Sequence, residues 1–163
     1  MIERGNTIPA IGVKLVTSAG NADANSAEVL NSGVTVLFTV PGAFTPTCHV
    51  NHLPGFVANA TKLRTAGVTR IVCASVNDQH VVRAWAEASG ALDSVDFIAD
   101  GNGELARALG LDKDFSGAGM GSRFARSAMI IRDGVVDAVF VEDAPGVGAS
   151  GAPAILMALE ASA

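Results

Sequence analysis

The sequence predicts an α/β fold with a mixed central sheet and helices on both faces, folded as one domain over residues 1–163. Three observations carry this reading. β-Branched apolar runs alternate with segments of helical spacing from residue 34 onward, two later runs are joined through Asp133-Gly134, and a final helical segment follows from about Pro153. Alternating strand and helix calls for parallel strands with crossover helices, and a hairpin adds antiparallel strands to the same sheet. With 163 residues, 49% of them hydrophobic, the chain can bury a core without metal or disulfide staples.

In chain order, Val13-Lys14-Leu15-Val16 reads as a short first strand, and the β-branched run at 34–40 (Val34-Thr35-Val36-Leu37-Phe38-Thr39-Val40) as a buried one. Val50, Leu53, Phe56, Val57, Ala60 and Leu63 have helical spacing, which predicts a helix over 47–66. Pro54 lies inside it, removes one backbone hydrogen bond and predicts a bend. A strand at 70–76, a helix at 78–89 with Asp78 as its cap, a strand at 95–99 and a short helix at 104–109 ended by Gly110 follow. Residues 128–132 and 135–141, with Asp133-Gly134 between them, form the hairpin.

Composition excludes several function classes. A net charge of −5 lacks the basic stripe that nucleic-acid backbones require, and no apolar run approaches the ~18 residues that span a bilayer. Residues 1–6 lead into no apolar signal segment, and two cysteines make no disulfide framework, so a reducing, cytoplasmic setting is expected. There is no internal repeat, and the glycine-rich stretch Ser116 to Ser122 is too short to separate domains.

The most informative stretch is Pro41-Gly42-Ala43-Phe44-Thr45-Pro46-Thr47-Cys48. It places one cysteine where a strand gives way to a helix, and a helix's first turn offers free N–H groups and the positive end of the dipole, both of which favour thiolate over thiol. At pH 7 a free cysteine of pKa ~8.5 is only about 3% thiolate. Lowering the pKa raises that fraction but blunts nucleophilicity, so a fast reaction also needs donors aimed at the bond that breaks.

Pro-x-x-x-Thr-x-x-Cys at a strand-to-helix junction resembles the signature of peroxiredoxins, the Prx5/type II branch of the redoxin superfamily in particular. The resemblance continues through His52-Leu53-Pro54-Gly55-Phe56, Ala74-Ser75-Val76-Asn77-Asp78, Ala84-Trp85 and Gly121-Ser122-Arg123 with the later Arg126. It covers the chain from about residue 34 to the last helix and implies a thioredoxin-like fold.

The resemblance implies a site made of Cys48 as nucleophile, Thr45 and Arg123 as peroxide-binding donors and Pro41 as a shield against water. Arg123 takes the arginine role as the first arginine of the family's Gly-x-Arg-x-x-Arg arrangement; Arg126 is the rival, supporting the site from behind or pairing with a carboxylate. Phe124, where many relatives carry a polar residue, leaves the orientation of Arg123 open.

Cys73 lies in the apolar run Arg70 to Val76, where a buried, inert thiol is the ordinary expectation. Plant-type relatives carry a resolving cysteine in this segment, so the resemblance also allows Cys73 to resolve Cys48. The Prx5-type alternative would sit within residues 146–151, which hold no cysteine. Cys48-His49-x-x-His52 could also be read as metal ligands on one helix face, but no fourth ligand cluster accompanies it. His49 and His80 are expected to be exposed. A Cys-x-x-Cys dithiol and a Cys-x5-Arg phosphatase loop are both absent.

The function expected from the resemblance is a thiol peroxidase that reduces hydrogen peroxide and organic hydroperoxides through a Cys48 sulfenic acid. Glutathione with glutaredoxin, or thioredoxin, would restore the thiol with no other cofactor. A peroxide sensor that passes oxidation to a protein client is the alternative. A homodimer is implied, with Phe44 and Phe115 as contacts, although Phe44 could equally belong to the core.

Overall fold

The computed structural model describes residues 1–162. Nine strands and six α-helices follow one another as β1 (Gly12–Thr17), β2 (Gly20–Asn25), α1 (Ser26–Val29), β3 (Val34–Val40), α2 (Leu53–Ala58), α3 (Ala60–Thr65), β4 (Arg70–Ser75), α4 (Gln79–Ala88), β5 (Asp96–Ala99), α5 (Glu104–Ala108), β6 (Asp112–Asp114), β7 (Ser122–Phe124), β8 (Ser127–Arg132), β9 (Val135–Val141) and α6 (Ala152–Ala161). A π-helix, Cys48–His52, precedes α2.

Seven strands form the main sheet in the order β2-β1-β5-β4-β3-β8-β9, while β6 and β7 pair separately. β3, β4 and β5 are parallel, and β1 and β8 flank them antiparallel. Strand alternation divides the core into two layers. Val36, Phe38, Ile71, Cys73, Phe97 and Ile130 pack with Phe56, Leu63, Trp85 and Ile155 of the helices on one face, whereas Leu37, Val72, Ile98, Met129 and Ile131 pack with Leu30, Leu105 and Leu109 on the other. Among the described residues no helix is long and apolar enough to cross a membrane.

The expected helix over 47–66 is three pieces rather than one bent helix. Proline 54 cannot donate to a carbonyl a turn earlier, and the backbone absorbs this by widening: the Leu53 N–H reaches back to Cys48 O, five residues away. Asn59 then interrupts the run, its side-chain amide donating to Gly55 O at 2.7 Å. The amide competes with the backbone for that carbonyl, as asparagine often does. Asp78 caps α4 as expected, accepting from the N–H groups of His80 and Val81. Gly110 follows α5 with φ 66°.

Candidate active site

The site lies at the carboxyl end of β3, where parallel strands deliver their loops. β3 ends at Val40, and the Pro41–Thr47 loop carries the chain into the π-helix that begins with Cys48. Phe44 holds φ at 60°, a left-handed conformation that costs a bulky residue on the order of 1–3 kcal/mol. This strained turn pushes the Phe44 side chain outward, where it is 48% exposed, so it is not a core residue. Its ring lies 5.6 Å from that of His49.

Cys48 is fully buried, and its sulfur accepts a hydrogen bond from Arg126 Nη2 at 3.1 Å. Arg126 Nη1 meets His52 Nδ1 at 3.0 Å. A guanidinium only donates, so Nδ1 accepts, the histidine proton sits on Nε2, and that atom donates to Ser150 O at 2.9 Å. Burial, with the Arg126 charge adding to it, pushes His52 down to about 4 against the opposing pull of the Ser150 carbonyl and Glu142. His52 is neutral at physiological pH.

Arg126 is the arginine at the sulfur, which corrects the expectation that Arg123 fills this place. The reason lies in sheet register. Thr39 and Phe38 of β3 pair with Ser127 and Ala128 of β8, so the residue just before β8 arrives beside the end of β3. The Thr39 hydroxyl fixes the segment further by donating to Ala125 O at 2.7 Å while lying 2.6 Å from Ser127 Oγ. Arg123 belongs instead to β7, where it pairs with Lys113, and its neighbour Phe124 is fully buried in the core. Arg123 donates through Nε to Met120 O at 2.9 Å and through Nη1 to Pro41 O at 3.3 Å. It therefore braces the loop instead of touching the thiol. Gly42 makes room for it, since a Cβ there would stand 2.8 Å from Arg123 Nη1.

Thr45 spends its hydroxyl proton on Gly42 O at 2.8 Å, which leaves its oxygen free to accept. Pro41 is buried and, with Thr47, Phe115, Arg126 and Glu142, lines a pocket of about 290 Å³; Cys48 is not part of its wall and meets it through Arg126. Lys113 stands over the Phe115 ring at 5.4 Å from its centroid. His49 is half-buried rather than exposed and accepts from Trp85 Nε1 at 3.1 Å, whereas His80 is exposed as expected. Cys48 and His52 share Arg126 as a common donor.

Cys73 is buried on β4 opposite Phe38, on the same helix-covered face as Cys48, and both thiols are free. Burial, reinforced by the Cys48 charge and opposed by Arg126, pushes the Cys73 thiol well up.

Two participants escape a reading of the sequence. Glu142 belongs to no motif, and Ser150 lies in the 146–151 stretch without a role assigned to it; their only signal is a carboxylate placed shortly before a glycine-rich run with several N–H groups. Glu142 accepts from the N–H groups of Gly148, Ala149 and Ser150 and from the Ser150 hydroxyl.

A redoxin family model matches residues 3–156. Peroxiredoxin-2E-2, chloroplastic, of Oryza sativa subsp. japonica is 46% identical over 136 residues, 82% of this chain and 60% of the rice protein. Peroxiredoxin-2B of Arabidopsis thaliana is 38% identical over 156 residues, 95% of this chain and 96% of that protein. The chain thus spans only about three fifths of the length of its chloroplastic relatives. Among solved structures, reduced Prx3 from Vibrio vulnificus in complex with hydrogen peroxide has a TM-score of 0.91 at 42% identity, covering 98% of this chain and 99% of that one. The mixed sheet with helices on both faces is accordingly thioredoxin-like, and the chain belongs to the peroxiredoxins of the redoxin family.

Proposed function

We propose that this peroxiredoxin is a thiol-dependent peroxidase acting on hydrogen peroxide and organic hydroperoxides. The observation that carries the reading is the guanidinium of Arg126 donating to Cys48 Sγ at 3.1 Å at the start of a helical run. The guanidinium sets a permanent charge and fixed donors at the sulfur, and the pocket that Arg126 also lines has room for a small molecule.

The Cys48 thiolate attacks one peroxide oxygen. An S–O bond forms as the O–O bond breaks, the sulfur loses two electrons, and the other oxygen leaves as water or alcohol after taking up a proton. Arg126 stabilises the charge that spreads over both oxygens in the transition state. The Thr45 oxygen, its own proton committed to Gly42, accepts the hydroperoxide O–H and so orients the substrate. Pro41 shields the sulfur from water, and Arg123 holds the loop bearing both residues.

An external thiol, glutathione with glutaredoxin or thioredoxin, attacks the sulfenic sulfur and expels water. A second thiol then releases Cys48 as the thiolate. Sulfur supplies both electrons to the O–O bond, so the cycle calls for no further cofactor. A reducing, cytoplasmic compartment fits two free cysteines. Exposed Phe44 and partly exposed Phe115 are the contacts proposed for a homodimer. The buried state of Cys73 supports a second reading, in which the persistent sulfenic acid oxidises a protein client.

Steady-state peroxide consumption with glutathione and glutaredoxin, or with thioredoxin, tests the proposal. Wild type turns over repeatedly and folded Cys48→Ser does not. A single stoichiometric oxidation that then stalls with every reductant favours the sensor, and turnover by Cys48→Ser overturns both readings.

A further inference from the structure

Glu142 is tied to Arg126 by two separate routes that form a closed ring. Along the backbone, the Glu142 N–H donates to Arg126 O at 3.0 Å, just beyond the end of β9. Through side chains, the Glu142 carboxylate collects the loop at 148–150: it accepts from Gly148 N at 2.9 Å, Ala149 N at 3.2 Å, Ser150 N at 2.8 Å and Ser150 Oγ at 2.5 Å. Ser150 is fully buried, and its carbonyl is the acceptor that holds His52 Nε2–H. The other ring nitrogen of His52 then receives Arg126 Nη1, which leaves Nη2 aimed at Cys48 Sγ.

Four donors converging on one carboxylate require an anion there. A carboxylate accepts through both oxygens, whereas an amide of the same shape turns an NH2 group toward N–H groups that need an acceptor. Burial works against the charge of Glu142, but the Ser150 hydroxyl and the three backbone N–H groups outweigh it and hold the carboxyl below its ordinary range. The loop that carries Ser150 contains Gly146, Gly148 and Gly151, so little in its own backbone fixes the carbonyl that His52 needs.

We infer that Glu142 is a positioning residue for the chemistry at Cys48: its carboxylate fixes the Ser150 carbonyl, which sets the tautomer and ring plane of His52, which in turn holds the Arg126 guanidinium on the sulfur. The inference rests on the peroxidase reading for its importance to turnover, but its geometry concerns the Cys48–Arg126 contact alone. The charged and titratable groups around this relay are Arg126, His52, Glu142, Cys48, across the core Cys73, and Lys113 and Asp143 on the pocket that Arg126 and Glu142 line. Glu142 makes no hydrogen bond to the sulfur; it borders the same pocket as Arg126, but its carboxylate oxygens are taken up by the loop at 148–150, so it acts through the ring it closes. Partners of this kind that orient a reactive group typically cost ~10–100-fold in activity when removed from metal sites, and a similar loss is expected here.

The test compares wild type with Glu142→Gln, Glu142→Asp and Ser150→Ala by two measurements. The first is the pH profile of Cys48 alkylation by iodoacetamide, quantified at Cys48 by peptide mass spectrometry. The second is the rate of oxidation by hydrogen peroxide, followed through the fluorescence of Trp85. In Glu142→Gln the alkylation profile moves to higher pH by about one unit and oxidation slows about tenfold, because the guanidinium no longer stays on the sulfur. Glu142→Asp restores part of both. Ser150→Ala keeps the carbonyl but removes one bond to Glu142, and shows a smaller change in the same direction.

A folded Glu142→Gln protein with a wild-type alkylation profile and oxidation rate overturns the inference, as does a loss of thermal stability alone. If Glu142→Gln does not fold, Ser150→Ala decides: unchanged values in that variant overturn it. Wild-type protein that alkylates but consumes no peroxide sinks the peroxidase reading, while the alkylation profiles of the variants still decide the role of Glu142.

Discussion

Arg126 and His52 meet at 3.0 Å with the imidazole as acceptor, which fixes the histidine as the neutral Nε2–H form. Protonating His52 would set a second cation against the guanidinium and turn its acceptor into a donor. The same event would withdraw Arg126 from the sulfur, because Nη1 and Nη2 belong to one rigid plane.

Stability should therefore depend on acid in a defined window. His52 sits at about 4 in the folded chain against 6.5 when unfolded. Between these values the unfolded chain binds a proton that the folded chain refuses, so stability falls as pH falls, by roughly 3 kcal/mol over the window, and is flat above it. Glu142, held below its ordinary range, contributes in the same direction at still lower pH. Urea melts from pH 7 to pH 4 measure this, and His52→Gln should flatten the slope. An equally steep slope in that variant would exclude His52 as the source.

The two arginines should separate in kinetics. Arg126→Met removes the donor on the sulfur and should slow the oxidation of Cys48 by about 100-fold or more, as loss of one preorganised donor does elsewhere. Arg123→Met removes the bonds to Met120 O and Pro41 O and should cost about tenfold or less, together with some thermal stability. Stopped-flow oxidation of both variants checks this, and a larger loss in Arg123→Met would reverse the roles.

Thr45 offers a test of direction within one hydrogen bond. Thr45→Ser keeps both the donor to Gly42 O and the acceptor lone pairs, whereas Thr45→Val keeps the shape and loses both. Oxidation should slow by more than tenfold in Thr45→Val and by less than about threefold in Thr45→Ser. Equal rates in the two variants would remove the hydroxyl from the reaction.

How much of this was legible in the sequence depended on the range of the interaction. β3 and the hairpin of β8 and β9 follow from local apolar runs and the Asp133-Gly134 turn, and Asp78 declares itself as a cap by position alone. Cys48 is legible because its motif is contiguous. The choice between Arg123 and Arg126 is not, because it depends on how β8 registers against β3, a pairing some ninety residues apart in sequence. Glu142 and Ser150 are less legible still, since their meaning arises only when residues near the C-terminus return to the helix that carries His52. β2, β6 and β7 also escaped prediction: Gly20–Asn25 and Asp112–Asp114 are polar, and Ser122–Phe124 is only three residues long, so none carries the apolar pattern that marks a strand.

Cys73 should not be the main resolving thiol. It is 1% exposed in the middle of the sheet, its register partner is Phe38, and burial with the nearby Cys48 charge holds it as the protonated, unreactive thiol. A disulfide with Cys48 needs Cα atoms within about 7 Å and an open approach, so the π-helix would have to unwind while Arg126 leaves the sulfur. Cys73→Ala avoids burying an unpaired hydroxyl and leaves only a small void, costing about 1 kcal/mol of stability. This variant should keep most of its turnover with glutathione and glutaredoxin. After one equivalent of peroxide, mass spectrometry should find Cys48 as a sulfenic acid or a mixed disulfide with the added thiol. Loss of turnover in Cys73→Ala, together with a Cys48–Cys73 disulfide in oxidised wild type, would instead make Cys73 the resolving cysteine.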